Sequence, residues 1–314
     1  MKKVLLSICL LLLVLTGCGE KESKPKVGII QLVQHEALDN ATQGFIDALK
    51  EAMGDDIIIE DVKNASGDIG TCSVMATDLV AEGVDLIMAN ATPALQAAAH
   101  ATNTIPILGT SVTEYSVALD LDNYDGIVGG NVSGTSDLAP LDEQAQMILD
   151  LLPNTKSVGI LYCSAEANSL YQVKAVKEFL EGKGVTVNTH AFTDSNDVDA
   201  VAKAACNEND ALYIPTDNTC ASNGEVIKNA ASENAIPIIV GEKECCIAVG
   251  GLATLSIDYY ELGKTTGNMA ARILKGEDIS TMKVEYYANP VKMISSSKAN
   301  EFGITIPSDY ETMD

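Results

Sequence analysis

Val27-Gly28-Ile29-Ile30 returns as Val158-Gly159-Ile160-Leu161, 131 residues further along the chain. Ile105-Pro106-Ile107-Leu108 returns as Ile236-Pro237-Ile238-Ile239 at the same offset of 131. Between them, Val84-Asp85-Leu86-Ile87-Met88 answers to Asn209-Asp210-Ala211-Leu212-Tyr213, 125 residues on. Three runs recurring in order at nearly constant spacing indicate an internal duplication. The runs are rich in Ile, Val and Leu and lack polar alternation, the pattern of parallel strands covered on both faces. Helical faces separate them. Leu38, Ala41, Phe45, Leu49 and Ala52 share one face after the first run, and Leu170, Val173, Val176 and Leu180 share one after its echo. Strand and helix alternating in this way predict right-handed βαβ units. The fold class is therefore α/β, with two similar doubly wound lobes.

Outward from this core, the N-terminus sets an address. Lys2 and Lys3 precede an apolar stretch over residues 4–15, then Leu15-Thr16-Gly17-Cys18. The stretch is too short to span a bilayer and fits an export signal. Small residues before a Cys resemble the bacterial lipobox, which predicts cleavage after residue 17 and lipidation of Cys18. Residues 18–26 are polar and read as a tether. The expected location is the extracytoplasmic face of the cell membrane, reached through the lipid.

Without Lys2 and Lys3 the chain has 18 basic and 44 acidic side chains. That balance argues against nucleic-acid binding, which needs a basic footprint. Beyond Cys9 and Cys18, six cysteines remain, with no CxxC pair and no metal-type spacing to His35, His100 or His190. Free thiols are expected, as are no metal and no cofactor. His35 has no Ser or Cys partner at a recognisable spacing, so no catalytic set emerges.

Chain crossings between the lobes are expected near residues 135–139 and 258–259, with a third near Pro290. The lobes then comprise residues 27–136 with 260–287, and residues 137–259 with 288–314. In open α/β sheets ligands gather beyond the carboxyl ends of strands. The duplication pairs those loops, aligning Thr92 with Asp217 and Ser111 with Glu242. Lobe 1 thus offers hydroxyls, including Thr113, and helix starts suited to a carboxylate. Lobe 2 offers acids, so Asp217, Glu242 or Asp258 would face an ammonium group. Each residue also has a plain structural reading as a helix cap. Arg272 is the chain's one arginine and lies within a C-terminal helix, so an Arg fork on a ligand carboxylate is not expected.

The strings "ANATPALQAA", "GGNVSGTSDLAP", "LYIPTDNT" and "LATLSIDYYELGKTTGNMAARILKGE" resemble the tryptophan/tyrosine-type ABC substrate-binding lipoproteins of the type I periplasmic-binding-protein superfamily. The resemblance implies two Rossmann-like lobes joined by hinge strands. It also implies capture of an aromatic amino acid between the lobes and its delivery to an ABC permease; a monomer is expected. By position it implies binding roles for Thr92, Ser111, Thr113, Asn168, Ser169, Asp217 and Asn218. The chain departs from the family at Gly241-Glu242-Lys243-Glu244-Cys245-Cys246, where vicinal cysteines are not usual, and it has no Trp and four Phe. A branched-chain amino acid, nucleoside or sugar is the alternative ligand. A receptor-linked ligand sensor and an enzyme are the alternative roles.

Overall fold

The computed structural model describes residues 24–313. The signal segment, Cys18 and the start of the tether lie outside the described residues. Among the described residues no helix is long and apolar enough to cross a membrane.

Among the described residues fourteen strands run in chain order as β1 (Lys26–Gln31), β2 (Ile58–Ile59), β3 (Lys63–Asn64), β4 (Leu86–Asn90), β5 (Ile107–Val112), β6 (Val132–Ser136), β7 (Ser157–Cys163), β8 (Thr186–Phe192), β9 (Ala211–Ile214), β10 (Ile238–Val240), β11 (Ala253–Ser256), β12 (Glu285–Tyr286), β13 (Val291–Ile294) and β14 (Glu311–Thr312). Twelve α-helices of the described residues accompany them: α1 (Glu36–Met53), α2 (Ile69–Glu82), α3 (Thr92–Ala101), α4 (Tyr115–Ala118), α5 (Leu141–Leu151), α6 (Ala167–Gly182), α7 (Val198–Glu208), α8 (Asn218–Ser222), α9 (Gly224–Asn234), α10 (Lys243–Ala248), α11 (Tyr259–Leu274) and α12 (Ser296–Glu301).

The strands form two seven-stranded sheets. One has the order β12-β6-β5-β4-β1-β2, with β3 also on β1; the other has the order β14-β13-β11-β10-β9-β7-β8. The central order is the same in both: β6-β5-β4-β1-β2 corresponds to β11-β10-β9-β7-β8. The recurring sequence runs fall on corresponding strands, β1 with β7, β4 with β9 and β5 with β10. The sheets differ at the returning strand. β12 pairs parallel with β6, whereas β13 pairs antiparallel with β11. The chain passes from the first sheet to the second after β6, returns after β11 to form α11, and passes over again between β12 and β13.

Each sheet is apolar on both sides for a physical reason. Along β1, Val27 and Ile29 pack with Phe45, Leu49, Met88 and Met269, while Ile30 packs with Leu79, Ile87 and Leu95 on the opposite face. Along β7, Val158 and Ile160 pack with Ile148 and Val176, while Leu161 packs with Ala202, Leu212 and Ile227. Helices on both faces leave no side of these strands to water, so polar alternation is absent.

Helices α1 and α11 approach so closely that glycine is required at their crossing. A Cβ on Gly263 would lie 2.0 Å from the Ala41 carbonyl oxygen, and one on Gly44 would lie 2.1 Å from that of Tyr260. These contacts are to backbone, which cannot swing aside as a side chain does. The crossing ties the helix that follows the second chain crossing to the first helix of lobe 1.

We expect Gly263→Ala to destabilise the protein by at least ~2 kcal/mol, because overpacking outweighs the ~1 kcal/mol of helix propensity that Ala gains. Urea unfolding checks this; a midpoint equal to or above that of the native protein would show that the helix pair can move apart freely.

Candidate functional site

The carboxyl ends of both sheets face a common cleft, and the residues there sit at helix starts. In lobe 1, His35 precedes α1, Ala91 and Thr92 open α3, and Ser111 and Thr113 stand at the end of β5. In lobe 2, Glu166 precedes α6, Asp217 precedes α8 and Glu242 precedes α10. Offsets of 131, 125 and 131 align His35 with Glu166, Thr92 with Asp217, and Ser111 with Glu242. Every neutral group of lobe 1 thus has an acid as its counterpart in lobe 2.

Hydrogen bonds explain those acids. Asp217 Oδ1 accepts from the Cys220 amide at 2.8 Å, and its Oδ2 accepts from the Cys163 amide and the Ser169 hydroxyl, both at 2.7 Å. Glu242 accepts from the Glu244 amide at 2.7 Å and the Cys245 amide at 2.6 Å. Glu166 accepts from the Asn218 and Thr219 amides, the Thr219 hydroxyl, and the side-chain amides of Asn168 and Asn218. Buried helix N-termini present amide groups with no partner of their own, and these carboxylates supply the acceptors. Asp217 and Glu242 therefore have both oxygens engaged by the protein.

The lining of the central cavity comes from both lobes: His35, Ser111 and Thr113 from one, Asn168, Asp217 and Glu242 from the other, with Asp137 and Tyr259 where the chain crosses. Its volume is ≈ 10 Å³, room for about one water. A wider groove of ≈ 600 Å³ adjoins it across Asn218. Asn218 also bridges the lobes, its Oδ1 lying 3.2 Å from His35 Nε2. The Asn218 side-chain nitrogen donates to Glu166, so its oxygen accepts and His35 Nε2 carries the proton. Burial pushes the His35 pKa below its ordinary value, which leaves Nδ1 as a free acceptor.

Five buried polar atoms around this cavity have no protein partner: His35 Nδ1, Thr92 Oγ1, Ser111 Oγ, Asp137 Oδ1 and Asn168 Oδ1. Such atoms are rare in folded proteins, and a cluster of them calls for partners that the protein itself does not supply. Backbone strain lies in the same place. Ala91 has φ 91° and Ser111 has φ 53°, values that non-glycine residues seldom adopt.

The structure sorts the sequence expectations residue by residue. Ser111, Thr113, Asn168, Asp217, Asn218 and Glu242 line the cavity. Thr92 is buried at the start of α3 and is not among the lining residues. Ser169 lies beneath the floor, donating to Asp217. Asp258 is corrected: it is exposed, caps α11 through the Glu261 amide at 3.0 Å, and belongs to a separate groove with Tyr260 and Tyr287. An N-cap carboxylate must turn back onto its own helix, and here that direction leads away from the cleft. Cys245 and Cys246 turn into the lobe 2 core, so the unusual cysteines do not line the cavity. All six cysteines from Cys72 to Cys246 are free and buried.

Sequence reasoning missed Asp137. It is buried in the first crossing segment, its amide donates to the Val112 carbonyl at 3.2 Å, and its Oδ2 accepts from Tyr259 Oη at 2.9 Å. Burial pushes its pKa up to about 6, against the pull of the Tyr259 and Thr113 hydroxyls. Asp217 is pushed up to about 7, by burial first and by the Glu166 carboxylate second.

A carboxyl group whose pKa is higher in the folded than in the unfolded chain binds protons more tightly when folded, so stability rises as pH falls through the folded value. His35 and His190 shift the other way, and an unfolded histidine is half charged at about pH 6.5, so they offset part of this gain, while Glu242, also raised by burial and by Glu244, adds to it. The protein should therefore gain about 1 kcal/mol of stability or more between pH 8 and pH 6.5. Thermal melts across that window check this, and a flat or falling profile would show these carboxylates ionised when folded.

Comparisons with known proteins bear on the family and the two-lobed fold. Residues 26–311 match the family model described as ABC transporter substrate binding protein. A tyrosine-binding protein of Clostridioides difficile is 35% identical over 287 residues, covering 86% of this chain and 82% of the relative. An ABC domain from Streptococcus pneumoniae solved in complex with L-Trp is 34% identical, with 92% of this chain and 99% of that chain covered at a TM-score of 0.87. The ligand-free, open structure of a substrate-binding protein with adhesive properties from Clostridium difficile is 36% identical, covering 92% and 100% of the two chains, with a TM-score of 0.68. At nearly equal identity, the overall shape of this chain is nearer to the ligand-bound relative than to the open one. The chain belongs to the ABC transporter substrate-binding protein family.

Proposed function

We propose that this protein binds an aromatic amino acid, with L-tyrosine the first choice, between its lobes and presents it to an ABC permease. The observation that carries the reading is the set of unpartnered buried groups at the cavity, which has both signs of complementarity that an amino-acid backbone needs. The Thr92 and Ser111 hydroxyls are donors for a carboxylate, and Asp137 and Asn168 offer acceptor oxygens for an ammonium. Among the cavity-lining residues no Lys or Arg appears, so a carboxylate would be held by hydroxyls and the α3 N-terminus. The aromatic side chain is supported by the similarity to the tyrosine-binding and L-Trp-bound relatives.

A cavity of ≈ 10 Å³ is too small for any amino acid, so capture requires the lobes to part and close again. Only a closed form touches the ligand from both lobes, and binding then shifts the population toward closure. The crossings after β6 and β11 are the natural hinges. Lipidation at Cys18 would hold the protein at the outer face of the membrane, beside its permease.

A thermal-shift screen against all amino acids, nucleosides and common sugars tests the reading. Ligand at 100 times its Kd adds about 2.7 kcal/mol of stability, a shift of several degrees. Stabilisation by Tyr, Trp or Phe is expected; a response confined to nucleosides or sugars overturns it. Thr92→Val removes a buried hydroxyl without changing the side-chain shape. It should leave the melting temperature of the ligand-free protein unchanged or raised, while weakening tyrosine binding by about tenfold in calorimetry.

A further inference from the structure

The cavity between the lobes is lined by three carboxyl groups and no cationic side chain, and only one of the three has an oxygen to spare. Asp217 and Glu242 are committed at both oxygens to backbone amides and Ser169. Asp137 is 4% exposed, its Oδ2 is held by Tyr259 and the Thr113 hydroxyl also favours its charged form, yet its Oδ1 makes no hydrogen bond. An unpaired carboxylate oxygen buried this deeply is unfavourable unless a cation or strong donor arrives to meet it.

Resting on the amino-acid reading above, we propose that Asp137 is the ammonium anchor and specificity-determining carboxylate of the site, in place of the lobe 2 acids Asp217 and Glu242. Its position gives the contact a second consequence. Asp137 follows directly on Ser136, the last residue of β6, and so lies in the first crossing between lobes. Tyr259, which holds its other oxygen, is the first residue of α11, immediately after the second crossing. A ligand ammonium on Oδ1 thereby completes a chain running from the ligand through Asp137 to Tyr259, joining the two crossing segments across the buried base of the cleft. The lobe 2 acids make no such link, since each is spent within its own lobe. Asn168 Oδ1, the free acceptor on the lobe 2 side, would reach the same ammonium and make its recognition depend on closure, with His35 Nδ1 a further unpaired acceptor on the lobe 1 side.

The test compares two probes, L-tyrosine and 3-(4-hydroxyphenyl)propionate, which lacks the amine, on the purified protein by calorimetry. The native protein should prefer tyrosine by roughly 10- to 100-fold, the scale of a charged hydrogen bond. Asp137→Asn keeps an acceptor for Tyr259 but removes the charge. This variant should bind the two probes within about threefold of each other and, without ligand, melt at a temperature equal to or above the native protein's. Asp137→Ala serves as a second variant, and a cooperative melt establishes that each is folded. A purely structural role would lower stability and weaken both probes alike, so it would not erase the preference. If the folded variants keep the native preference for tyrosine, the Asp137 assignment is overturned and the amino-acid reading stands. If the native protein binds neither probe, both fall together.

Discussion

Buried helix N-termini are the constraint on which the site depends. Two parallel sheets, each feeding its strands into helices, turn several helix starts toward one cleft. Amide groups there have no intrahelical acceptor, and closure of the lobes removes the water that would otherwise serve. Lobe 2 meets the demand with carboxylates: Asp217 on α8, Glu242 on α10, and Glu166 reaching across to α8. Their charges offset the partial positive charge of the helix ends. The result is a cleft rich in acid whose acids are mostly already spent.

That constraint divides the labour between the lobes. Lobe 1 leaves polar atoms unpaired at Thr92, Ser111 and His35, on backbone held at positive φ in two places. Lobe 2 spends its acids on its own helix ends, and of its residues that line the cavity it leaves Asn168 Oδ1 unpaired. Around the hinge, hydroxyl contacts tie the crossings to the rest of lobe 1. Thr135 of β6 meets Thr110 of β5 at 3.2 Å and Thr266 of α11 at 2.8 Å, while Tyr115 donates to the Thr135 carbonyl at 3.1 Å. Preorganised donors and a rigid hinge base reduce the ordering that a ligand must impose on binding.

Unpaired groups of this kind carry a stability penalty when the cleft is closed. A burial-raised Asp137 and an orphaned Thr92 hydroxyl are unfavourable until something meets them. Binding removes that penalty at the same atoms that recognise the ligand. Affinity and closure therefore draw on the same contacts, as a two-state hinge requires.

Much of the architecture was legible in the chain itself. The runs at Val27 and Val158 fall on β1 and β7, and those at Ile105 and Ile236 fall at β5 and β10, because strands buried on both faces can be built only from apolar residues. The short strands β2, β3, β12 and β14 carry too few residues for any pattern, and the antiparallel pairing of β13 depends on a partner distant in sequence. The loops holding the site were legible for the same reason as the strands, since they must follow them. What each loop residue does was not. Asp217, Glu242 and Asp258 all precede helices and look alike as acids, yet two face the cavity with their oxygens consumed and the third is exposed on a different groove. Asp137 stood in a segment read only as a hinge. By itself the sequence determined the duplicated α/β lobes and the ring of loops around the cleft, because burial patterns are local and repeat with the strands. Only the tertiary structure decided which carboxylate remains free, because that depends on which backbone amides from distant elements have already claimed the others.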